Sequence, residues 1–365
     1  MEGPIRVGYT VEQCWHDQPG GTAVAALAVA SCLLERPADV DLRFVAGKHQ
    51  LPPRRPYVPP GKVAMLPLAR PWLYETWTRL NWPKVESVTG QIDVAHATGL
   101  VPCATAAPLV VTVHDLAFRH TPDRFTRHGV RVMERSLAAI ARRADRVICS
   151  SQSTVDDCEA AGLDPAALRL VPLGVDPTSA TDAEIDAARR EYDLPDRFVL
   201  FVGTLEPRKN LARLVDAMRR IAVDSHGERV PLIVAGPTGW GEVSVPTSAD
   251  VRLLGFVPDE LLRGLYAAAT VFAYPSEREG FGLPVLEAMA QGAAVVTSRG
   301  TSTEEVAGGA AVLVDPLDTD DIARGIDEAL RRLDELRDAG RRRAQELSWN
   351  STAQQTIAVY REVRR

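Results

Sequence analysis

Short apolar runs alternate with amphipathic segments along the chain, and this pattern predicts a mainly parallel β-sheet covered by helices on both faces. In the first half of the chain, the helix candidates are 23–35 and 129–144. The strand candidates of this half are 5–9, 42–46, 94–96, 109–113 and 146–149. A proline-rich segment at 51–71 is not expected to form regular structure. The first half is therefore predicted to be a doubly wound α/β unit.

The alternation restarts after a polar, acidic and helix-compatible stretch at 177–194, which we interpret as a connection between domains. The second set of predicted elements comprises strands 198–202, 231–235, 251–257, 271–274, 294–297 and 311–314, and helices 210–222, 259–269, 284–291 and 319–332. We therefore predict Rossmann-like domains at 1–176 and 195–348, with a final helical segment at 349–365 that packs back on the first. Two such domains are expected to face each other across a cleft, with ligands at the carboxyl ends of the strands.

The length, composition and net charge of the chain exclude several classes of protein. A chain of 365 residues with 45% hydrophobic and 25% charged residues is typical of a soluble globular protein with two cores. No apolar run is long enough to span a bilayer, and the first four residues lead into a strand without a secretion signal. The expected compartment is the cytoplasm, with peripheral contact at the inner face of a membrane left open. The net charge of −6 argues against a nucleic-acid partner.

The cysteines and two acidic motifs give no sign of a metal or disulfide framework. The chain has five cysteines with no close C-x-x-C pair, namely Cys14, Cys32, Cys103, Cys149 and Cys158. D-x-D tripeptides occur at 39–41, before a strand, and at 318–320, where a helix begins and acids are favourable. We interpret both as structural and predict no metal site.

The most informative stretch runs from Glu279 to Glu287. It holds two carboxylates eight positions apart, a Gly-Phe-Gly turn between them, and Pro284 at a place that suits the first helical position. A strand-like run, 271–275, precedes it, so the segment is predicted to be strand, glycine turn and helix. Backbone N–H groups at a helix start attract anions, and carboxylates accept hydrogen bonds from hydroxyls. The expected ligand therefore carries both phosphate and hydroxyl groups.

A second cluster of candidates follows the strand at 198–202. Gly203 ends this strand, and the adjacent cations Arg208 and Lys209 precede a helix, an arrangement that suits a diphosphate. Lys209 is the only lysine after position 84 in a chain whose basic residues are mostly arginine. The alternative is a solvated basic helix start, which is disfavoured because helix starts prefer acids.

Histidines are scattered without metal-ligand spacing. His114 ends a strand, and in isolation the position favours a hydrogen-bonded structural residue. We expect the other histidines, such as His16, His49, His120 and His128, at the surface or in loops.

Together these segments resemble the GT-B glycosyltransferases and, within them, the large retaining family 4. The matching pieces are 202–211, 254–257, Glu279 to Glu287, 304–306 and 314–316, and in the first domain Gly20-Gly21, 112–116, Ser150-Ser151 and 174–176. The resemblance covers nearly the whole chain, and its specificity lies in the order and spacing of the pieces.

The resemblance implies transfer of a mannose- or glucose-type hexose from a GDP- or UDP-hexose to a hydroxyl acceptor, with retention and without a metal or other cofactor. The acceptor could be a glycan, a lipid-linked sugar or a small molecule. The implied catalytic residues are His114, Arg208, Lys209 and Glu279. The implied donor-binding residues are Gly203, Arg208, Lys209, Phe256, Val257, Glu279, Gly280, Phe281, Gly282, Leu283 and Glu287. The implied acceptor-side residues are Gly20, Gly21, His114 and Asp115.

One departure from the family pattern follows Gly203. Many members carry an additional arginine soon after the matching glycine, whereas this chain has Thr204, Leu205 and Glu206. The phosphate contact is therefore expected to depend on Arg208 and Lys209.

Two mechanisms and two other functions stay open at this point. Same-face attack, with a donor phosphate oxygen helping to deprotonate the acceptor, is favoured over Glu279 as a covalent nucleophile. The alternative functions are a sugar-nucleotide epimerase of the same fold and a nucleotide-sugar-binding protein without turnover. The oligomeric state is not indicated by the sequence.

Overall fold

The computed structural model describes residues 3–17, 19–122, 125–221, 230–237 and 250–364. The chain divides into two compact units. Unit 1 comprises Met1–Leu173 together with Trp349–Arg365, and unit 2 comprises Gly174–Ser348.

Unit 1 is built on a parallel sheet in which the described strands follow the order β3-β2-β1-β4-β5-β6-β7. The strands are β1 Ile5–Thr10, β2 Val40–Ala46, β3 Val63–Met65, β4 Val94–Ala97, β5 Leu109–Val113, β6 Arg146–Cys149 and β7 Leu168–Leu170. The helices are α1 Gly20–Leu34, α2 Trp72–Leu80, α3 Glu86–Thr89, α4 Ala117–His120, α5 Arg127–Arg143 and α6 Gln152–Ala160. The strand order reverses between β1 and β4, which is the doubly wound topology predicted from the alternation of elements.

Two local predictions for unit 1 are wrong. The segment 51–71 is not entirely irregular, because β3 pairs with β2 at the edge of the sheet. Prolines flank this short apolar strand without interrupting it, and an edge strand needs hydrogen bonds on one side only. The helix predicted at 23–35 begins earlier, at Gly20, so that Gly20 and Gly21 belong to its first turn.

Unit 2 repeats the architecture with a parallel sheet in the order β10-β9-β8-β11-β12-β13. Its strands are β8 Val199–Val202, β9 Leu232–Ala235, β10 Val251–Gly255, β11 Val271–Tyr274, β12 Ala294–Ser298 and β13 Val312–Val314. Its helices are α7 Asp182–Glu191, α8 Leu211–Arg220, α9 Asp259–Ala268, α10 Leu283–Ala290, α11 Ser302–Ala307, α12 Thr319–Arg331 and α13 Leu333–Glu346. The last position of the helix predicted at 210–222 lies outside the described residues.

Helix α7 lies within the stretch interpreted as a connection, 177–194, but it packs as a regular part of unit 2. A capping box, in which Thr181 and Glu184 bond to each other's backbone N–H groups, fixes its start. The helix packs against α9 at Gly264, where an added Cβ would lie 2.2 Å from the Glu184 carbonyl oxygen. A side chain at position 264 would therefore hold the two helices apart.

The last helix, α14 Trp349–Val363, returns to unit 1 and packs on α1. Its buried side chains Ile357 and Tyr360 share a hydrophobic core with Val7 of β1. The Tyr360 hydroxyl lies 2.7 Å from Nδ1 of His96, a buried residue of β4. No helix in the described part of the chain is long and apolar enough to cross a bilayer.

Candidate functional site

The stretch from Glu279 to Glu287 connects the carboxyl end of β11 to helix α10, as the sequence predicts. Gly282 has a φ of +109°, and a Cβ there would lie 2.8 Å from Cγ2 of Thr303, so the turn requires glycine. The helix begins at Leu283, which makes Pro284 the second helical residue rather than the first. Neither arrangement loses a hydrogen bond, because the first-turn N–H groups have no acceptor within the helix.

Glu279 is held on both carboxylate oxygens. Its Oε2 lies 2.7 Å from Nη1 of Arg208, and its Oε1 accepts hydrogen bonds from Ser276 Oγ and Tyr274 Oη, each at 2.9 Å. Burial alone would raise the pKa of this carboxyl group, but the charges of Arg208 and Lys209 outweigh it and lower the pKa to about 2. Glu279 is therefore a carboxylate at all physiological pH values.

Arg208 and Lys209 form a short 3₁₀ turn with Pro207 after β8, on the side of the site where Glu279 lies. Arg208 donates from Nε to Glu206 at 2.9 Å and from Nη1 to Glu279 and to the Arg278 carbonyl. Burial opposes the charged form of Arg208, but the two carboxylates outweigh it and raise the pKa. The sequence assigns phosphate to the two cations and hydroxyls to Glu279, whereas in the structure Glu279 is paired with both cations.

Lys209 is only 8% exposed and donates from Nζ to the Tyr274 hydroxyl at 2.8 Å. Burial lowers its pKa, against the opposing effect of Glu279, whose Oε1 lies 4.0 Å from Nζ. A Cβ at Gly203 would lie 2.8 Å from the same nitrogen, so the lysine passes close over the end of β8. Lys209, Tyr274 and Glu279 form a continuous hydrogen-bonded chain.

The remaining donor-side candidates lie on neighbouring elements of unit 2. Glu287, on α10, accepts a hydrogen bond from the Tyr266 hydroxyl at 2.8 Å, and burial raises the pKa of its carboxyl group. Phe256 and Val257 follow β10, with Phe256 61% exposed and Val257 buried. Gly280 and Phe281 belong to the turn before α10.

In unit 1, His114 and Asp115 follow the carboxyl end of β5. His114 Nε2 lies 3.2 Å from the Thr98 carbonyl oxygen, and since a carbonyl can only accept, this nitrogen carries the proton. Burial lowers the pKa of His114, so the ring is neutral at pH 7 and Nδ1 is an acceptor. Asp115 accepts the Ala117 N–H at 3.0 Å and thereby fixes the start of α4.

Both residues line a cavity of about 440 Å³ that lies within unit 1. Its walls combine polar and aromatic side chains that include Glu12, Gln13, His16, Thr22, Tyr74, Trp77, Thr98, His114, Asp115, Phe118 and Phe125. Gly20 and Gly21 lie nearby in sequence, exposed in the first turn of α1. The cavity lining thus offers hydrogen-bonding groups beside an apolar face.

Two histidines expected at the surface or in loops are half-buried beside this cavity. His49 Nε2 lies 3.0 Å from Oε2 of Glu12, and its ring stacks on Trp15 at 4.5 Å. His16 Nε2 lies 2.9 Å from the Tyr74 hydroxyl, and burial lowers its pKa to about 4. Both lie in loops, as expected, and the loop that carries His16 places its ring against Tyr74 of α2.

The site also contains residues that sequence reasoning missed, namely Glu12, Tyr266, Tyr274 and Ser276. Tyr274 ends the buried strand β11, and Glu12, which is itself buried, follows β1. A polar group at the carboxyl end of a parallel strand is the signal that could have found both.

The acidic tripeptides have structural partners. Asp39 pairs with Arg361 at 2.6 Å, and Asp318 caps α12 by accepting the N–H groups of Asp320 and Asp321. Within the described residues, no group of three or more His, Cys, Asp or Glu side chains is arranged to hold a metal ion.

Comparison with known families gives two consecutive matches. The model for glycosyl transferases group 1 matches residues 182–346, and the model for glycosyltransferase family 4 matches residues 19–179. The O-antigen chain mannosyltransferase B of Escherichia coli is 35% identical over 269 residues, which cover 69% of this chain and 70% of that protein. The MMP alpha-(1->4)-mannosyltransferase of Mycolicibacterium hassiacum is 32% identical over 297 residues, covering 74% and 71%.

Solved structures share the fold over the full length. Anabaena HepE in complex with UDP and glucose superposes with a TM-score of 0.71 at 18% identity, covering 98% of this chain and 100% of that one. A sucrose-phosphate synthase from Thermosynechococcus elongatus gives a TM-score of 0.74 at 21% identity, covering 99% of each chain. These similarities support the GT-B fold expected from the sequence.

Proposed function

Because the chain belongs to the group 1 glycosyltransferases of family 4 and is a glycosyltransferase, we propose that it transfers a hexose from a nucleoside-diphosphate sugar with retention and without a metal ion. The observation that carries the proposal is the cluster of Arg208, Lys209 and Glu279 in unit 2. A buried lysine, a half-buried arginine and a carboxylate whose pKa is lowered to about 2 lie at the carboxyl ends of β8 and β11, where α/β folds bind ligands.

We assign each part of the nucleotide-sugar donor to different residues of the site. Arg208 and Lys209 bind the diphosphate, Glu279 accepts hydrogen bonds from the transferred sugar, and Glu287 accepts them from the ribose. Gly280 to Leu283 supply backbone N–H groups, and Phe256 and Val257 contact the base. The names of two relatives support a mannosyl donor, and the UDP and glucose held by a structural neighbour support a uridine nucleotide, so both GDP- and UDP-hexoses are candidates.

The reaction requires charge stabilisation on the leaving phosphate. As the bond from the anomeric carbon breaks, negative charge grows on a phosphate oxygen, and Arg208 and Lys209 supply fixed positive charge there. We propose same-face attack by the acceptor hydroxyl, with a donor phosphate oxygen taking its proton. Both oxygens of Glu279 are engaged by Arg208, Tyr274 and Ser276, which makes this carboxylate a weak nucleophile and favours a binding role.

Arg208→Ala and Lys209→Ala test the phosphate assignment. Each variant should lower turnover on the order of 10² to 10³, comparable to the loss of one charge-stabilising donor in other enzymes. The donor is first identified by thermal shift against UDP-, GDP-, ADP- and dTDP-sugars, because a ligand that binds the folded state raises its stability. Near-normal turnover in both variants would contradict the assignment. Activity should also survive EDTA, and a complete loss restored by Mn²⁺ would count against metal independence.

We further propose that the acceptor is an uncharged saccharide bound in the cavity of unit 1. The cavity lining contains no lysine or arginine among the described residues, and it includes the carboxylic side chains of Glu12 and Asp115. His16 and His114 are neutral at pH 7 because burial lowers the pKa of each. The walls suit the hydroxyls and apolar faces of a sugar ring, and Arg70, a cation next to the lining, faces Glu12, with Nε 3.9 Å from Oε1.

An acceptor competition measures this preference. With the donor fixed, methyl α-mannoside or a short mannoside should accept the hexose, and the same sugar carrying a phosphate should be at least tenfold poorer in kcat/KM. Phe118→Ala should raise the KM for the neutral acceptor and leave donor affinity unchanged. A preference for the phosphorylated sugar would contradict the proposal.

A further inference from the structure

Glu206 occupies one edge of the arginine proposed to bind the diphosphate. Its Oε2 lies 2.9 Å from Nε of Arg208, and its side chain is 13% exposed. Glu279 binds the same guanidinium through Nη1. A planar guanidinium offers a small number of donors in fixed directions, so two carboxylates already take much of the hydrogen-bonding capacity of Arg208.

The two carboxylates are held very differently. Glu279 is bound by Tyr274 and Ser276 in addition to Arg208. For the Glu206 side chain, Arg208 is the only hydrogen-bond partner in the described part of the chain. Glu206 also precedes the 3₁₀ turn in extended backbone, outside any helix. Moving the Glu206 carboxylate therefore breaks one hydrogen bond, whereas moving the Glu279 carboxylate would break several.

The charges of this group balance without a ligand. Arg208 and Lys209 contribute two positive charges, and Glu206 and Glu279 contribute two negative ones. A diphosphate that binds Arg208 must approach a carboxylate already in contact with it. The repulsion between like charges at such distances is strong in a partly buried site and grows with the charge of the ligand.

We propose that Glu206 is an internal anion that occupies Arg208 in the free enzyme, competes with the diphosphate and thereby weakens binding of the released nucleoside diphosphate. The inference rests on the proposed function, because it requires Arg208 to bind phosphate. A free nucleoside diphosphate has a terminal phosphate with a second ionisation near a pKa of about 6, so it carries about one more negative charge than the sugar nucleotide. Glu206 therefore opposes the product more than the donor and favours product release.

Isothermal titration of the full chain with the nucleoside diphosphate, comparing wild type with Glu206→Gln, tests the inference. Glutamine keeps the shape and can still accept from Arg208, but it removes the charge. The Kd for the diphosphate should fall about tenfold, the Kd for the sugar nucleotide about threefold, and product inhibition should strengthen accordingly. Glu206→Ala, which removes both the charge and the hydrogen bond, should change the two Kd values in the same direction.

Glu277→Gln is the matched control. Glu277 is adjacent in the site and its backbone N–H bonds to the Arg208 carbonyl, but its carboxylate pairs with Arg213. The control removes the same charge without freeing Arg208 and should shift either Kd by less than twofold. Thermal unfolding of each variant confirms that the fold is retained.

The other outcomes overturn the inference in distinguishable ways. If Glu206→Gln weakens binding or leaves it unchanged while Arg208→Ala abolishes it, Glu206 only positions the arginine or has no role, and the phosphate assignment stands. A gain of affinity equal in Glu206→Gln and Glu277→Gln would assign the effect to net charge rather than to competition for Arg208. If Arg208→Ala also binds normally, the phosphate assignment itself fails, and the inference fails with it.

Discussion

At neutral pH, Glu279 is a buried carboxylate whose ionised form is stabilised by Arg208, Lys209, Tyr274 and Ser276. Its motif was readable from the sequence, as were the two cations that contact it. The ion pair between Arg208 and Glu279 was not predictable, because the two residues lie 71 positions apart in the sequence. Only the order of strands in the sheet brings β8 beside β11. A spacing pattern reports on neighbours along one element, whereas this ion pair depends on which strands are adjacent.

The low pKa of Glu279 predicts a specific loss of stability in acid. The folded pKa of about 2 lies below the usual 4.5, so the stabilisation is fully present above pH 4.5 and is lost as pH falls toward 2. The difference in unfolding free energy between wild type and Glu279→Gln should shrink by about 2 kcal/mol on going from pH 6 to pH 3. Urea denaturation at each pH measures it, and a difference that does not vary with pH would show that the carboxylate is not stabilised by its partners.

At the scale of elements, most strands and long helices follow from apolar periodicity, and the exceptions have identifiable causes. β3 is too short and too close to prolines for its pattern to stand out. Helix α11 spans only six residues, and α13 is largely polar with few buried side chains, so neither was predicted. Helix α7 was recognised as helix-compatible, but its packing against α9 depends on a glycine in another element.

Gly264→Ala should disrupt the contact between α7 and α9. The added Cβ would meet the Glu184 backbone at 2.2 Å, and a backbone atom cannot rotate away as a side chain can. We expect the free energy of unfolding to fall by about 2 kcal/mol or more, which is typical of overpacking in a dense interface. Chemical denaturation of the purified variant gives the value.

Gly340→Ala is the control for this substitution. Gly340 also lies within a helix of unit 2, α13, but an added Cβ would meet the flexible Met289 side chain at 3.3 Å. The gain in helix propensity of alanine over glycine, about 1 kcal/mol, should offset the tighter packing. An equal decrease in the free energy of unfolding of the two variants would show that helix geometry, rather than the contact with Glu184, causes the destabilisation.

At the scale of the whole molecule, two doubly wound units were predictable because the strand and helix alternation restarts after residue 194. The division in the structure runs through Leu173 and Gly174, and again through Ser348 and Trp349. Unit 2 is thus one continuous segment, whereas unit 1 needs a helix from the far end of the sequence. Apolar patterning identifies α14 as a helix, but its partner is fixed only by contacts such as that of Tyr360 with His96.

This division predicts different behaviour of the two units when separated. Residues 174–348 should fold alone and bind the nucleoside diphosphate, since their core and proposed donor site are continuous in sequence. Residues 1–173 should unfold at markedly lower denaturant concentration than unit 1 of the intact chain, because the surface covered by Ile357 and Tyr360 is exposed. Circular dichroism measures the unfolding of each fragment, and titration measures nucleoside diphosphate binding by residues 174–348. A synthetic peptide of residues 349–364 should restore the stability of the 1–173 fragment. A fully stable 1–173 fragment would contradict the prediction.

The position of α14 also has a consequence for synthesis on the ribosome. The sheet of unit 1 is translated before unit 2, but the helix that covers part of it is translated after unit 2. At roughly 5–20 residues per second, translation of residues 174–348 takes on the order of 10–35 s, long enough for unit 2 to fold before unit 1 is complete. During that interval the apolar surface around Val7 and Val110 lacks α14 and stays uncovered. Translation of unit 1 therefore begins before that of unit 2, but unit 1 reaches its native state after unit 2.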